Sequence, residues 1–424
     1  MARVRRWNWL LQALAAALLA IGLRLAPIGE HWQRSLWDHL VATWRGSDPS
    51  GEVVLVAIDT ASTGRFGRWP WPAARTHRLL DAIADLGARE IVCTFEPPGD
   101  FDATGHRPPV RPRGYRFRPF DPDNPIEPTA RPGTERGLSW IPVEGRVRSL
   151  PVAVRLRTEG WSPSLLGTAL ARRFGAADTA ALAAPDDPFG RAEIRFGTRH
   201  FPVRVAGAVA RLPLSSPQRA GSVPTVSAAR LLDGELDGSG VLRGRTVVLG
   251  PTDPSCARLY PALGARDVPS SEPELWAAGL DAALSGRLLH WQPPASAAVW
   301  LVLGLLVLSI LLRQAGPAPG ALLSIGVLLA VYAASVGAVR RGTLLETLPW
   351  YAGVLGLYGA LQLERASGAL RRERQLGREI ERTDRRLVPP RADADRWQAA
   401  LAMADQFLET DSLVLLRLEP ETGR

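Results

Sequence analysis

The spacing of long apolar segments constrains this chain more than any other feature of its sequence. One run of apolar residues, 10–28, follows an arginine-rich start, and three more follow one another near the carboxyl end, at residues 295–312, 321–339 and 344–363. About 20 helical residues cross the ~30 Å hydrocarbon core of a bilayer, so each run predicts a membrane-spanning helix. We expect these helices at residues 7–28, 295–313, 320–339 and 343–363.

Arginine clusters at both ends of this arrangement predict its orientation. Residues 1–6 contain three arginines, and residues 365–391 are also rich in arginine. Positive charge beside a span favours the cytoplasmic side, and an even number of spans returns the chain to that side. We therefore expect a multi-pass membrane protein with both termini in the cytoplasm, residues 1–6 included. A cleaved signal peptide is the alternative for the first run.

The polar region between the first and second spans, residues 29–294, predicts an external domain. It contains an apolar strand at residues 53–58, an amphipathic helix at 73–86 and a second strand at 91–95. A strand that is apolar throughout is typical of a parallel sheet covered on both faces. The predicted fold is an α/β domain with a mixed, mostly parallel sheet and flanking helices, followed by the membrane helices and a cytoplasmic helix.

Further elements of this domain follow from local patterns. Residues 138–154 predict two short strands that form a hairpin around Glu144-Gly145, and residues 97–132 predict a long loop. The pattern also predicts helices at 164–174 and 272–284 and a buried strand at 246–249.

Polar residues follow the predicted strands where each one ends. Asp59 and Thr60 come after the first strand, Glu96 after the second, and Thr252 and Asp253 after the strand at 246–249. The carboxyl ends of parallel strands share one sheet edge, where open α/β sheets bind ligands, so these residues predict a ligand pocket. The alternative is that they are solvated turn residues and helix caps.

Several function classes are disfavoured by what the sequence lacks. All 51 basic residues are arginine, which excludes the lysine of a P-loop or kinase on this chain, and no GxSxG or HExxH motif occurs. Residues 100–105 partly match a calcium loop, but its twelfth position holds Arg111 instead of glutamate. No basic patch is interleaved with aromatic residues, as nucleic-acid binding would require. We expect no metal, no cofactor and no nucleic-acid partner.

The two cysteines, Cys93 and Cys256, lack the spacing of a zinc site. Two interpretations stay open for them: a disulfide, or two buried free thiols.

Several segments together resemble the type-two CHASE domain, an extracytoplasmic sensory module of bacterial cyclases and kinases. The similar segments are IDTASTGRFGRWPWP, IVCTF, VEGRVRSLPV, LRGRTVVLGPT and AAGLDAALSGRLL. They cover most of residues 53–363, and the order of one span, a sensor domain and three spans is equally characteristic. The resemblance implies a periplasmic sensor, anchored in the bacterial inner membrane, that feeds a cytoplasmic output domain.

The chain departs from the family pattern near the implied pocket. Ala73 stands where the resemblance implies an arginine, with Arg75 two residues further on, and Thr94 stands where it implies an aspartate. Arg75 therefore joins the candidate ligand residues, and Trp69 and Trp71 are interpreted as packing anchors at the start of the helix.

The carboxyl end predicts a helix that leaves the membrane. Residues 364–388 form a predicted signalling helix whose imperfect coiled-coil seam implies a homodimer; a solvated charged helix is the alternative. The seam consists of Ala366, Ala369, Glu373, Leu376, Ile380, Thr383 and Leu387. Residues 389–424 predict the start of an incomplete cytoplasmic domain, because so few residues cannot bury a core of their own.

These patterns predict a sensor in the lipid bilayer that detects a periplasmic ligand or protein and relays the signal to a cytoplasmic output domain, with no catalytic residue on this chain. Two alternatives stay open. One is a membrane-anchored periplasmic hydrolase, in which Asp59, Glu96 and His77 would have to converge. The other is a scaffold or assembly protein whose sensor domain has lost its pocket.

Overall fold

The computed structural model describes residues 2–44, 49–98, 109–113, 115–116, 127–128, 136–139, 141, 147–156, 160–175, 181–183, 193–206, 209–213, 223–261, 269–386, 398, 400 and 402–403. The helices are α1 (Ala2–Leu25), α2 (Pro27–Trp44), α3 (Thr60–Phe66), α4 (Ala73–Asp85), α5 (Leu165–Phe174), α6 (Ala228–Leu232), α7 (Glu272–Leu284), α8 (Pro294–Gln314), α9 (Pro317–Arg340) and α10 (Leu348–Arg386).

The strands are β1 (Val53–Ile58), β2 (Glu90–Cys93), β3 (Arg111–Arg113), β4 (Tyr115–Arg116), β5 (Glu127–Pro128), β6 (Arg136–Leu138), β7 (Ser149–Leu156), β8 (Gly160–Pro163), β9 (Ala181–Ala183), β10 (Glu193–Phe196), β11 (Arg199–Pro202), β12 (Arg204–Ala206), β13 (Val209–Pro213), β14 (Thr225–Ser227), β15 (Thr246–Pro251), β16 (Leu259–Tyr260), β17 (Ser270–Ser271), β18 (His290–Trp291) and β19 (Thr343–Leu344).

A parallel sheet of four strands, in the order β14-β1-β15-β2, forms the centre of the external domain. Every residue of β1 is buried, because helices and a second layer cover the two faces of the sheet. Val54 and Val56 face the core that contains α4, whereas Val53 and Leu55 face the core that contains α7. The predicted α/β domain with a parallel sheet and flanking helices is confirmed.

A second layer lies on the α7 side of this sheet. It contains α5 and an antiparallel sheet in the order β12-β13-β7-β8. The hairpin predicted within residues 138–154 is wrong: β6 pairs with β3 in parallel, and β7 pairs with β8 and β13. Leu138 forms a parallel bridge to Ser164, so β6 lies against the start of α5 instead of against β7. The predicted turn, Glu144-Gly145, lies outside the described residues.

The region predicted as one long loop, residues 97–132, is also more structured than expected. Within its described residues, Val110 forms a parallel bridge to Val92, and β3 continues from it. The short strands β4 and β5 pair with each other. The partial calcium-loop match at residues 100–105 lies outside the described residues.

Two helices of the described chain, α8 and α9, are long and apolar enough to cross a membrane. Helices α1 and α2 would supply a third span if the pair counted as one, but their axes bend by 81° at the break between them. Four spans are therefore not confirmed. The last predicted span, residues 343–363, falls on β19, a turn and the first part of α10, where Glu346 and Thr347 interrupt the apolar run.

The long helices α1, α2, α8, α9 and α10 pack around two small cores. Apolar residues of α1, α8 and α10 form the first, which includes Ala17, Leu305 and Leu357. The second joins α2 and α9 to the end of the external domain and includes Trp37, Leu289 and Val339. Leu289 thus places the exit of the external domain directly against α2 and α9.

Candidate functional site

Asp59 follows β1 and caps the start of α3. Its Oδ1 accepts the Ser62 N–H at 2.9 Å, the Ser62 hydroxyl at 2.6 Å and the Ser227 hydroxyl at 2.9 Å. The buried Ser62 hydroxyl in turn accepts the N–H of Ala229 at 3.0 Å. Asp59 therefore acts as an N-cap and also ties α3 to the beginning of α6.

Asp253 follows the neighbouring strand, β15, and is buried. Its Oδ2 accepts the Thr63 hydroxyl, and its Oδ1 accepts the Ser255 N–H at 2.9 Å. The hydrogen bond from Thr63, followed by those from Ser255, lowers the pKa of Asp253, because hydrogen bonds to a carboxylate favour its charged form. Asp253 is consequently ionised at neutral pH.

Because β1 and β15 are adjacent, the structure brings Asp59, Thr60, Thr252 and Asp253 to one edge of the sheet. Thr63 connects the Asp59 backbone to the Asp253 carboxylate, since its N–H donates to the Asp59 main-chain carbonyl at 2.9 Å and its hydroxyl donates to Asp253. The N–H of Thr252 donates to the Ile58 carbonyl at 3.0 Å. This edge is a hydroxyl-rich acidic cluster in which the observed hydrogen bonds hold the fold together.

Arg75 and Glu96 lie outside that cluster. The Arg75 guanidinium lies over the rings of Phe66, at 5.5 Å, and Trp71, at 5.9 Å, and donates to the Phe66 carbonyl. Glu96 pairs with Arg136 of β6 at 3.0 Å. Each of these two side chains is therefore held by a neighbour that is not part of the sheet edge formed by β1 and β15.

Trp69 and Trp71 belong to an aromatic cluster beside α4. Their ring centroids are 5.6 Å apart, and Trp69 also contacts Phe95 edge-on at 4.6 Å. Trp71 is buried, and its indole N–H donates to the Gly67 carbonyl at 2.8 Å. Both of these edge-on arrangements are ones that aromatic pairs favour, and they fix the chain where it enters α4.

In the described residues, the groups named for the hydrolase alternative have separate hydrogen-bond or ion-pair partners. His77 Nε2 lies 2.9 Å from the Pro98 carbonyl oxygen, whereas Asp59 is bonded to Ser62 and Ser227. Within the described chain, no group of three or more histidine, cysteine, aspartate or glutamate residues could hold a metal ion.

Both cysteines are free thiols, so the disulfide alternative is wrong. Burial raises the pKa of the Cys93 thiol to about 12, which makes it a poor nucleophile at neutral pH. Burial also raises the pKa of Cys256.

The family model of the CHASE2 domain matches residues 15–311. The chain belongs to the CHASE2 family. CHASE2 is an extracellular sensory domain family, so the resemblance expected from the sequence is confirmed and the external domain is a sensory domain. The match extends from α1 through the whole described CHASE2 domain into α8, and the sensory domain together with α8 and α9 indicates a membrane protein. No match was found among curated proteins or among solved structures.

Sequence reasoning missed the hydroxyl residues that organise the sheet edge, namely Ser62, Thr63 and Ser227. The three-residue spacing from Asp59 to Ser62 is a capping spacing and could have indicated α3. Ser227 carried no comparable signal, because it reaches Asp59 only through the pairing of β14 with β1.

The Asp253 carboxylate predicts a dependence of stability on acid pH. A carboxylate whose folded pKa is lowered stabilises the fold above its unfolded pKa of about 3.9, and this stabilisation is lost as pH falls through the folded pKa. Between about pH 4 and 2, the wild-type free energy of unfolding should fall more steeply than that of Asp253→Asn. Urea unfolding at each pH measures this, with Asp81→Asn on α4 as the charge-matched control. Parallel curves for the wild type and Asp253→Asn would contradict it.

Proposed function

We propose that this protein is a membrane-bound sensor whose CHASE2 domain detects a periplasmic ligand or protein and whose membrane helices relay the change to a cytoplasmic output domain. The observation that carries the proposal is a continuous set of polar contacts from the external domain, through α2, to the start of α10. We call this set of contacts the junction; it comprises Gln33, Trp37, Asp38, Arg148, Gln292 and residues 343–348.

The first contact of the junction joins the external domain to α2. Arg148, immediately before β7, donates from Nε and Nη2 to the two carboxylate oxygens of Asp38, each at 2.8 Å. A bidentate pair fixes the orientation of both groups as well as their distance. Movement of β7 is therefore transmitted to α2.

The second contact joins α2 to α10. The fully buried Gln33 accepts the N–H of Leu348 at 2.8 Å and donates to the Leu345 carbonyl at 3.2 Å. The Trp37 indole donates to the same carbonyl at 2.8 Å. Because the first N–H groups of a helix lack partners within it, Gln33 caps α10 from a neighbouring helix.

A third contact reaches the same turn from the end of the external domain. β18 pairs in parallel with β19, and the Gln292 side chain accepts the N–H of Glu346 at 3.3 Å. Leu288, two residues before β18, belongs to the core of the external domain. The start of α10 thus receives two connections from the sensory domain, one through α2 and one through β18.

Helix α10 provides the route out of the membrane. It is 39 residues long, which at 1.5 Å per residue corresponds to about 58 Å, roughly twice the hydrocarbon thickness. A displacement at Leu348 is carried along one continuous helix to Arg386. This geometry supports four spans in the inner membrane (α1, α8, α9 and the first part of α10), with both termini in the cytoplasm.

The polar half of α10 supports a homodimer. Leu370, Leu376 and Ile380 are exposed there, with Ile380 68% exposed, on a helix that is otherwise highly charged. A second copy of α10 in parallel would cover apolar residues of this kind, as in a two-stranded coiled coil. The dimer would deliver the movement to an output domain after α10.

Cross-linking at Ile380 tests both the dimer and the relay. In membrane vesicles, Ile380→Cys with Cys256→Ser should form a disulfide-linked dimer under mild oxidation; Cys93 needs no replacement because it is fully buried. Arg148→Gln and Gln33→Leu each break one contact of the junction. Each should therefore change the initial rate of disulfide formation by Ile380→Cys about fivefold or more, which is the lower end of the effects that typical coupling free energies produce.

Arg230→Gln is the control, since Arg230 lies on α6 and pairs with Glu235, away from the junction. Absence of the cross-linked dimer would exclude the proposed pairing. A rate that neither Arg148→Gln nor Gln33→Leu alters would exclude the proposed relay.

A further inference from the structure

A cavity of about 130 Å³ lies between β11 and the carboxyl end of α7. We call it the basal cavity; its walls include Phe174, Phe201 and Leu288, and its polar side chains are Arg199, His200 and His290. None of the six candidate residues from the sequence lines it. It is therefore separate from the sheet edge at Asp59 and Asp253.

The basal cavity combines aromatic walls with uncompensated positive charge. The rings of Phe174 and Phe201 are 5.7 Å apart, and the Arg199 guanidinium lies 5.9 Å from the Phe174 ring. His200 lies 3.3 Å from Glu193, but Arg199 has no carboxylate partner in the part of the chain that the structure describes. A guanidinium in this position is suited to pair with an anion, since its fork of N–H donors matches a carboxylate.

The size of the cavity limits what it holds. An apolar cavity of roughly 150 Å³ admits one benzene molecule, so the basal cavity accommodates a single ring. We propose that it binds a small aromatic carboxylate, with the ring packed against the wall that Phe174 and Phe201 form together and the carboxylate on Arg199. Ring contacts supply the apolar burial, and Arg199 selects for negative charge.

The floor of the basal cavity is the segment that leaves the external domain. Leu288 belongs to the core of that domain, whereas Leu289 belongs to the core shared with α2 and α9. The His290 N–H donates to the Gly342 carbonyl at 2.7 Å, one residue before β19. A ligand that contacts Leu288 and His290 therefore contacts the segment that connects the external domain, through β18, to the start of α10. Its use as a signal rests on the proposed function, but its binding does not.

Fluorine NMR titration of the full chain in uncharged detergent micelles tests the site, with 4-fluorobenzoate as the probe. We expect saturable binding of 4-fluorobenzoate and much weaker binding of the uncharged 4-fluorobenzamide. Arg199→Gln should weaken 4-fluorobenzoate binding about threefold to fivefold, the effect of losing an ion pair with an exposed guanidinium. Phe174→Leu should weaken both probes, because it removes one ring wall. Arg230→Gln makes the same change in net charge and should bind as the wild type does.

Three results would each overturn the site: no saturation of 4-fluorobenzoate at millimolar concentration, equal binding of the amide, or wild-type affinity in both Arg199→Gln and Phe174→Leu. The unfolding midpoint of each variant shows whether it is folded, and Arg199 is exposed, so its replacement leaves the core intact. Failure of binding with an intact cross-linking response at Ile380 would overturn this site alone. Binding of 4-fluorobenzoate, together with cross-linking that the junction variants do not alter, would overturn the relay but not the binding site.

Discussion

Replacing Trp276 with alanine is expected to lower the free energy of unfolding of the external domain by about 3–5 kcal/mol. Trp276 is fully buried on α7, in the core between the parallel sheet and α5. Removing its ring leaves a cavity that the surrounding strands can close only in part. Urea unfolding of the intact chain in lipid nanodiscs, followed by pulse proteolysis of the external domain, measures the loss.

The variant Trp276→Phe distinguishes the contribution of ring packing from that of the indole hydrogen bond, because phenylalanine keeps a ring and lacks the N–H. The indole N–H donates to Glu272 at 3.3 Å, and Glu272 also accepts the Ser139 hydroxyl at 2.6 Å, so the carboxylate keeps a partner in this variant. We expect Trp276→Phe to cost about 1–2 kcal/mol, the net value of one hydrogen bond plus a small loss of packing. If the alanine variant is no less stable than the phenylalanine variant, α7 does not pack on the sheet through the Trp276 ring.

Elements buried on both faces were predictable from the sequence. The predicted strand at residues 53–58 and the predicted helix at 272–284 have the same bounds as β1 and α7. An unbroken apolar run reports burial directly. For α7, Ser271 and Glu274 add a capping box that marks where the helix begins.

The sheet edge could be predicted only in part, because strand order cannot be read from a single sequence. The pattern placed Asp59 and Asp253 at strand ends, and the order β14-β1-β15-β2 makes those strands neighbours. Glu96 follows β2 instead, and its partner Arg136 comes from beyond the segment predicted as a loop. Helix α3 escaped prediction because its seven residues are held by tertiary contacts, such as that of Ser62 with Ala229, more than by intrinsic propensity.

In the region of the long helices, too, contacts between distant parts of the chain could not be predicted from the sequence. Hydropathy located α8 and α9 because their apolar runs are unbroken, but it could not show that α1 turns by 81° into α2. The sequence pattern assigns Gln33 and Asp38 to the external domain, whereas their partners lie 315 and 110 residues away in the chain. The junction is thus invisible to local patterns, although it holds the contacts on which the proposed relay depends.

Reversing one charge of the Arg24–Glu346 pair is expected to destabilise the packing of α1 against the start of α10 by about 3–5 kcal/mol. Arg24 donates to both carboxylate oxygens of Glu346, at 3.1 and 2.9 Å, and the two side chains are only 16% and 12% exposed. Breaking such a pair leaves a buried charge without compensation, and Arg24→Glu adds repulsion. Thermal unfolding in nanodiscs measures the loss.

The double variant Arg24→Glu/Glu346→Arg decides whether pairing is the cause. It restores opposite charges, so it should recover most of the stability that either single reversal removes. The matched control is Arg34–Glu30 on α2, an i,i+4 pair with side chains 29% and 37% exposed, for which the same reversals should cost about 0.5 kcal/mol or less.

Glu346 lies in the turn that Gln33 and Gln292 hold, so the Arg24–Glu346 pair joins α1 to the start of α10. Both single reversals should therefore also alter cross-linking at Ile380, and failure of the double variant to restore stability would show that the two charges act independently.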